Sequence, residues 1–168
     1  MNLGKKIVIV GVSASGKSTF ARELANKLGL PVTHIDALMW QPGWNYIGDE
    51  VTVSKLEEVS AEDEWIIEGY IEKRARMTVF ERADTIIYLD YPPIVASWRY
   101  IKRWWNHRKD PRPELPGSPE KFSFKFLRLV WRKGEVWKLI PLLKEPANQK
   151  KCTILTSPKK TADFLKSL

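Results

Sequence analysis

The sequence predicts an α/β fold: a mostly parallel sheet with helices on both faces. Three observations predict it. Five short runs rich in β-branched residues alternate with helix-length segments. The runs are apolar through their middles rather than alternating, the pattern of strands covered on both sides. The first of them passes through a glycine-rich turn directly into an amphipathic segment.

The elements follow in order. KKIVIV (5–10) is a strand ended by Gly11, and the helix after it sets Phe20, Leu24 and Leu28 four apart on one face before stopping at Gly29. PVTHID (31–36), EWIIEG (64–69), DTIIYLD (84–90) and KCTILTS (151–157) are the remaining strands. Over 93–109, Ile94, Trp98, Ile101 and Trp105 recur at helical spacing, with Arg99, Lys102, Arg103 and Asn106 toward another side; the first set is expected in the core, the second on a basic face. DPRPELPGSP (110–119) holds four prolines and a glycine, which excludes a helix and makes a loop suited to act as a lid. Helical character resumes over 120–145 with breaks near Gly134 and Pro141. No repeat or low-complexity tract interrupts the chain, and 168 residues are read as one domain, 1–168.

Composition narrows the function classes. No apolar run approaches the ~18 residues of a membrane span, and IVIV after Lys5 and Lys6 is shorter than the roughly 7 residues of a signal-peptide core. A cytoplasmic protein is expected, with no membrane partner; monomer and homodimer both fit. Cys152, the single cysteine, has no intramolecular disulfide partner and is expected to pack as a small apolar group in its strand. Charge divides unevenly: residues 1–90 carry a net −4 and residues 91–168 a net +12. The basic half calls for an acidic partner or a solvated face, and nucleic acid, nucleotide phosphates and a membrane surface are all physically admissible.

The chemistry starts at IVIVGVSASGKST (7–19). Gly11, Gly16, Lys17 and Ser18 satisfy G-x-x-x-x-G-K-[ST] between a strand and a helix, where that spacing has physical meaning. Backbone amides of such a loop turn inward around a phosphate, and the helix start points its positive end at the same place. Gly11 and the run Ser13, Ala14, Ser15, Gly16, Lys17, Ser18 and Thr19 are therefore the expected nucleotide-binding set. Lys17 would reach the β and γ phosphates, and Ser18 would ligate Mg²⁺. ATP and Mg²⁺ are the expected cofactors.

Ligands of open α/β sheets gather at the carboxyl ends of strands. Asp36, Glu68 and Asp90 each close an apolar run and are candidates to assist Mg²⁺ or to accept a proton. Asp36 is assigned to the acceptor or to metal-bound water, and Glu68, with Ser18, to the metal. His34 precedes Asp36 by two, so on a strand the two would share a side and form a structural hydrogen bond. Arg99 and Arg103, at i and i+4, are expected to converge on the migrating phosphoryl group, since the guanidinium fork holds phosphoryl oxygens in pairs. Arg108 and Arg112 flank the proline-rich loop and are expected to close over the nucleotide with it. Trp40 and Trp44 follow the second strand; core or loop packing and base stacking are both uses of tryptophan there.

Together with that loop, LPVTHIDALMWQPGW, WIIEGY, ADTIIYLDYP, WRYIKR and RPELPGSPEKFSFKFL resemble the adenylate-kinase-like P-loop proteins of the DNA topology modulation (FlaR-related) family over about residues 5–145. The resemblance implies a three-layer P-loop NTPase fold, a five-stranded parallel sheet ordered 2-3-1-4-5, and a lid after the fourth strand, about residues 104–122. It also implies that Arg99 and Arg103 correspond to the paired lid-helix arginines of nucleoside monophosphate kinases. The sequence departs from the family at Glu68-Gly69-Tyr70, where Asp-Gly-Asn-Tyr is usual, and at Tyr91-Pro92-Pro93, where relatives carry Pro-Arg. The arginine that would hold an acceptor phosphate lies among Arg74, Arg76 and Arg82. Two functions follow. The first is an ATP-dependent kinase acting on a nucleotide or other small acceptor, with Lys17, Asp36, Arg99 and Arg103 as catalytic residues. The second is a nucleotide-responsive nucleic-acid-binding regulator using the basic half, against which the expected burial of several tryptophans counts.

Overall fold

Ile7, Val8, Ile9 and Val10 have no solvent-exposed surface. Four consecutive buried residues on a strand require cover on both faces, because neighbouring side chains point in opposite directions. The computed structural model, which describes residues 3–134 and 136–168, puts this strand at the middle of a sheet.

The chain runs β1 (Lys6–Gly11), α1 (Lys17–Leu28), β2 (Val32–His34), α2 (Ile35–Met39), β3 (Trp40–Gln41), β4 (Asn45–Tyr46), α3 (Asp49–Ala61), β5 (Trp65–Glu68), α4 (Lys73–Arg82), β6 (Thr85–Leu89) and α5 (Pro93–His107). It continues with α6 (Phe124–Trp131), a 3₁₀ turn at Val136–Lys138, α7 (Ile140–Leu143), α8 (Pro146–Gln149), β7 (Cys152–Leu155) and α9 (Pro158–Lys166). The main sheet is ordered β2-β5-β1-β6-β7 with every pairing parallel. Counted by their own sequence, its five strands read 2-3-1-4-5, as the resemblance implied.

The two faces carry separate cores. Ile7, Ile9, Ile66, Ile87 and Leu89 meet Phe20 and Leu24 of α1 and Phe164 and Leu165 of α9. Val8, Val10, Ile67 and Ile86 meet Leu56 of α3, Val79 and Phe80 of α4, and Ala96, Val130 and Leu139 from later helices. The result is a three-layer sandwich whose strands all end on one side. No helix among the described residues is long and apolar enough to cross a membrane. Cys152 is a free thiol, half-buried on the edge strand β7, and burial raises its pKa.

Three expectations are corrected. The second strand stops at His34 rather than Asp36, because Ile35 is fully buried and starts the short helix α2. Asp36 thus sits in a helical first turn, where a carboxylate is favoured. The segment after α2 is a two-stranded antiparallel hairpin, β3 with β4, turning at Gly43 and Trp44 with φ of 81° and 65°. The largest correction concerns α5: Ile94, Trp98, Ile101 and Trp105 are 66%, 67%, 37% and 58% exposed, while Ala96, Ser97 and Tyr100 are buried. The expected core face points out, and the face that carries Arg99 and Arg103 points in. Ala96 joins the core beneath that inward face.

Candidate active site

The loop after β1 is shaped by its glycines. Gly11 has φ 152°, and a Cβ there would lie 2.6 Å from the Leu89 carbonyl oxygen, so a side chain is excluded by backbone. Ala14 at φ 64° and Gly16 at φ 95° turn the chain inward, and a 3.1 Å bond from Ser15 N to the Val12 carbonyl closes the ring. The first intrahelical bond of α1 is Phe20 N to Gly16 O at 3.0 Å, so the amides of Lys17, Ser18 and Thr19 precede it, as the donors at a helix start do. No acidic side chain lies in that first turn. Lys17 curls back over the loop, its Nζ donating to the carbonyls of Gly11 and Val12 at 3.1 Å each. Ser15 is fully buried, its backbone part of the cradle and its hydroxyl away from the cavity.

Glu68 closes β5 beside this cradle with only 4% of its surface exposed. Burial pushes its carboxyl up, but the hydrogen bond from His34, the charge of Lys17 and the Ser18 hydroxyl outweigh burial and hold it below the ordinary carboxylate range. His34 Nδ1 is 2.6 Å from Glu68 Oε1. His34 therefore partners Glu68, not Asp36, because the strand ends between them. Ser18 and Glu68 form an oxygen-only pair that fits Mg²⁺. Among the described residues no group of three or more His, Cys, Asp or Glu side chains gathers to hold a metal.

The inward face of α5 supplies the cations. Arg99 donates to the Ser15 carbonyl, lies over the Tyr91 ring at 5.1 Å, and would be struck at 2.6 Å by a Cβ on Gly16. Arg103 Nε stands 3.2 Å from Oε1 of Glu120, and Arg112 Nε stands 2.8 Å from the same oxygen. Neither contact is angled as a hydrogen bond. Arg112 Nη2 is also 3.7 Å from Asp36 Oδ2. Burial lowers the Arg103 pKa and the charge of Glu120 opposes that shift; the guanidinium stays protonated. Arg108 is not brought to the site: it stacks on the Trp105 ring at 3.9 Å and bonds the Trp105 carbonyl on the outer surface. Asp90 also lies elsewhere, 2.6 Å from Lys133 Nζ and 2.9 Å from the Tyr88 hydroxyl.

These residues border one cavity of about 1060 Å³. Gly11, Lys17, Ser18 and Arg99 line it together with Asp36, Met39, Trp40, Trp44 and Tyr70. Pro158, Thr161 and Ala162 of α9 also border it. The proline-rich segment roofs it, tied to α1 by the Arg22–Glu114 ion pair and to the hairpin by Gly43 N to Gly117 O at 3.0 Å. Sequence reasoning missed Glu120, Tyr70 and the α9 wall. Glu120 directly follows the last proline of the loop, a position with no periodicity to betray it.

Arg74, Arg76 and Arg82 do not line the cavity. Arg76 is 7% exposed and donates to the carbonyls of Ile71 at 3.0 Å and Lys138 at 3.3 Å. Arg82 bonds Glu57 O at 3.0 Å and Ser60 Oγ at 2.8 Å. Arg74 is solvent-facing beside Glu72.

No family model and no curated protein matches the chain. Solved structures do. A shikimate kinase from Bacteroides thetaiotaomicron superposes with a TM-score of 0.59 at 18% identity, over 96% of this chain and 94% of that one. A gluconokinase from Sinorhizobium meliloti 1021 gives 0.58 at 18%, over 98% and 89%. A shikimate kinase from Aquifex aeolicus vf5 gives 0.55 at 16%, over 96% and 92%. At such identities the likeness establishes the fold: the chain has the three-layer fold of small P-loop kinases.

Proposed function

We propose that this protein is a Mg²⁺-dependent kinase that transfers the γ-phosphoryl group of ATP to a small acceptor. One observation carries the reading: Lys17, Ser18, Glu68 and Arg99, beside the glycine-rich loop, border the same cavity as Asp36. The likeness of the fold to solved shikimate kinases and a gluconokinase supports it. Lys17 and the loop amides hold the β and γ phosphates. Bound Mg²⁺, held by Ser18 and Glu68, would neutralise charge on those phosphates. Arg99 and Arg103 steady the migrating group. Asp36 takes the acceptor proton as the acceptor oxygen bonds to the γ-phosphorus; the bond to the β,γ-bridging oxygen breaks and its electron pair leaves with ADP. Orientation and charge neutralisation supply most of the catalysis. The 110–119 segment serves as the lid over the reacting groups and excludes water. A reaction that draws on ATP agrees with the cytoplasmic location expected from the sequence. The test is Lys17→Ala, which should abolish ATP binding and cut turnover by about 10²-fold or more; a variant that bound ATP and formed ADP normally would overturn the reading.

A second reading gains from the inversion of α5. Trp98, Trp105, Trp131 and Trp137 are all exposed in the basic half, so the argument from buried tryptophans against nucleic-acid binding falls away. Exposed rings among lysines and arginines are the chemistry of single-strand stacking, and the resemblance to topology modulation proteins points the same way. Retention of single-stranded DNA at low salt, declining steeply as salt rises, is the expected behaviour; no retention at low salt would remove this reading.

A further inference from the structure

Outside the cavity assigned to phosphoryl transfer, α6 and the turn after it present a surface that the kinase reading does not use. Residues 121–134, KFSFKFLRLVWRKG, carry five lysines and arginines and no Asp or Glu. The acids on either side are Glu120, which is buried, and Glu135, which lies outside the described residues. Lys133 is held by Asp90 and Lys121 borders the large cavity, whereas Lys125, Arg128 and Arg132 are exposed and have no ion pair among the described residues. These three border a separate groove of about 430 Å³ together with Phe126, Leu129 and Gly134.

Helical spacing sorts this face. Val130 is buried and Phe126 and Leu127 are half-buried, so the other side of α6 meets water. Phe124 and Trp131, seven apart, form one edge of that side at 79% and 55% exposure, and Leu129 forms the other at 36%; Arg128, Arg132 and Lys125 fall between. The apolar surface continues past the helix. Ring contacts run from Phe124 to Phe122 (4.9 Å, 88°), on to Trp104 (5.1 Å, 59°) and then to the exposed Trp105 of α5 (6.0 Å, 71°). Beyond α6, the exposed Trp137 donates its indole N–H to the Arg132 carbonyl at 3.0 Å.

Large rings gathered in water mark a surface that something covers. A two-fold pair of copies on this face would set one strip of cations opposite another, and like charges repel. Stacked bases need open ring faces. Here Phe122 with Phe124 and Trp104 with Trp105 stand edge to face against each other, Arg108 covers a face of Trp105 at 3.9 Å, and the exposed Leu129, Ile94 and Ile101 have no ring to offer. An anionic bilayer takes all of these groups: cations among the headgroups, aromatic rings at the interface and aliphatic side chains just below it. We propose that α6, with the aromatic run joining it to Trp105, is a docking surface for an anionic membrane, on which Lys125, Arg128 and Arg132 meet lipid phosphates while Phe124, Leu129 and Trp131 enter the acyl boundary. The expected lack of a membrane partner rested on the lack of a spanning run; a helix lying in the interface needs none.

The test mixes the full-length protein with extruded vesicles of phosphatidylcholine alone, or of phosphatidylcholine with phosphatidylserine, and reads co-sedimentation and tryptophan emission. Retention on the anionic vesicles with a blue shift of emission is expected, and little of either with phosphatidylcholine alone. Phe124→Ser combined with Trp131→Ser should reduce the shift and weaken binding about tenfold or more. Arg128→Gln combined with Arg132→Gln should weaken it about 25-fold, roughly fivefold for each cation. All four side chains are exposed, so thermal melts of both variants should match the parent. No retention on anionic vesicles at low salt overturns the proposal. Retention that shows no blue shift and survives the Phe124 and Trp131 changes is mere adsorption of a basic protein and also overturns it. So does a single-stranded oligonucleotide that binds through these same residues while vesicles do not, or a dimer in sedimentation velocity that the Phe124 and Trp131 changes disperse.

Discussion

The indole Nε1 of Trp44 donates to the Pro119 carbonyl across 2.8 Å, joining the β3–β4 hairpin to the proline-rich segment. Trp44 stands at φ 65°, which costs a bulky residue about 1–2 kcal/mol. The Gly43-to-Gly117 bond at 3.0 Å helps hold it there. On the far side, Glu114 is tied to Arg22 of α1. The proline-rich segment is therefore tied on both sides, to α1 by an ion pair and to the hairpin by the Trp44 and Gly43 bonds.

Trp44→Phe keeps the ring and removes that donor. A neutral hydrogen bond contributes about 1 kcal/mol, so the acceptor KM should rise about fivefold with ATP affinity unchanged. Steady-state kinetics check this.

Gly11→Ala tests the cradle itself. The new methyl would meet a backbone oxygen that cannot rotate away. Displacing the loop should cost about 2–3 kcal/mol of stability and abolish ATP binding, as measured by thermal melts and calorimetric titration.

Arg99 lies at the mouth of the cradle against Ser15 and Tyr91. Arg99→Ala should lower kcat by about 10²-fold, the scale of a lost transition-state donor, with a smaller effect on ATP binding. Arg108→Ala, on the outer surface, should leave kcat within about twofold. Comparing the two rates checks which face of α5 meets the phosphates.

The depressed Glu68 carboxyl makes stability depend on acid. A folded value below the unfolded one, ordinarily about 4.3 for glutamate, contributes stability at higher pH that is lost as pH falls through the folded value. Glu68→Gln should be less stable than the parent at neutral pH, and the two should converge in strong acid. Thermal melts between pH 7 and pH 2 measure the gap.

Trp98→Gln combined with Trp105→Gln should change stability by less than about 1 kcal/mol, because both rings face solvent. Were they core residues, the loss would be several kcal/mol.

The parallel sheet, its central strand and the glycine-rich turn were legible in the sequence because each is written in contiguous residues. An unbroken apolar run means two covered faces, and glycines flanking a lysine at a helix start mean a ring of inward amides. Neighbours distant in the chain were not legible. Periodicity showed that α5 has an apolar face and a basic face, but only the packing of Ala96 and Tyr100 against the interior decided which face turned in. The pairing of His34 with Glu68, and the gathering of Arg103 and Arg112 around Glu120, arise where separate elements meet. The sequence by itself determined the glycine-rich turn between β1 and α1; only the tertiary structure decided which side chains share a cavity with it. Local backbone preference reaches a few residues along the chain, whereas the charge balance of a cavity is the sum over side chains brought together from all of it.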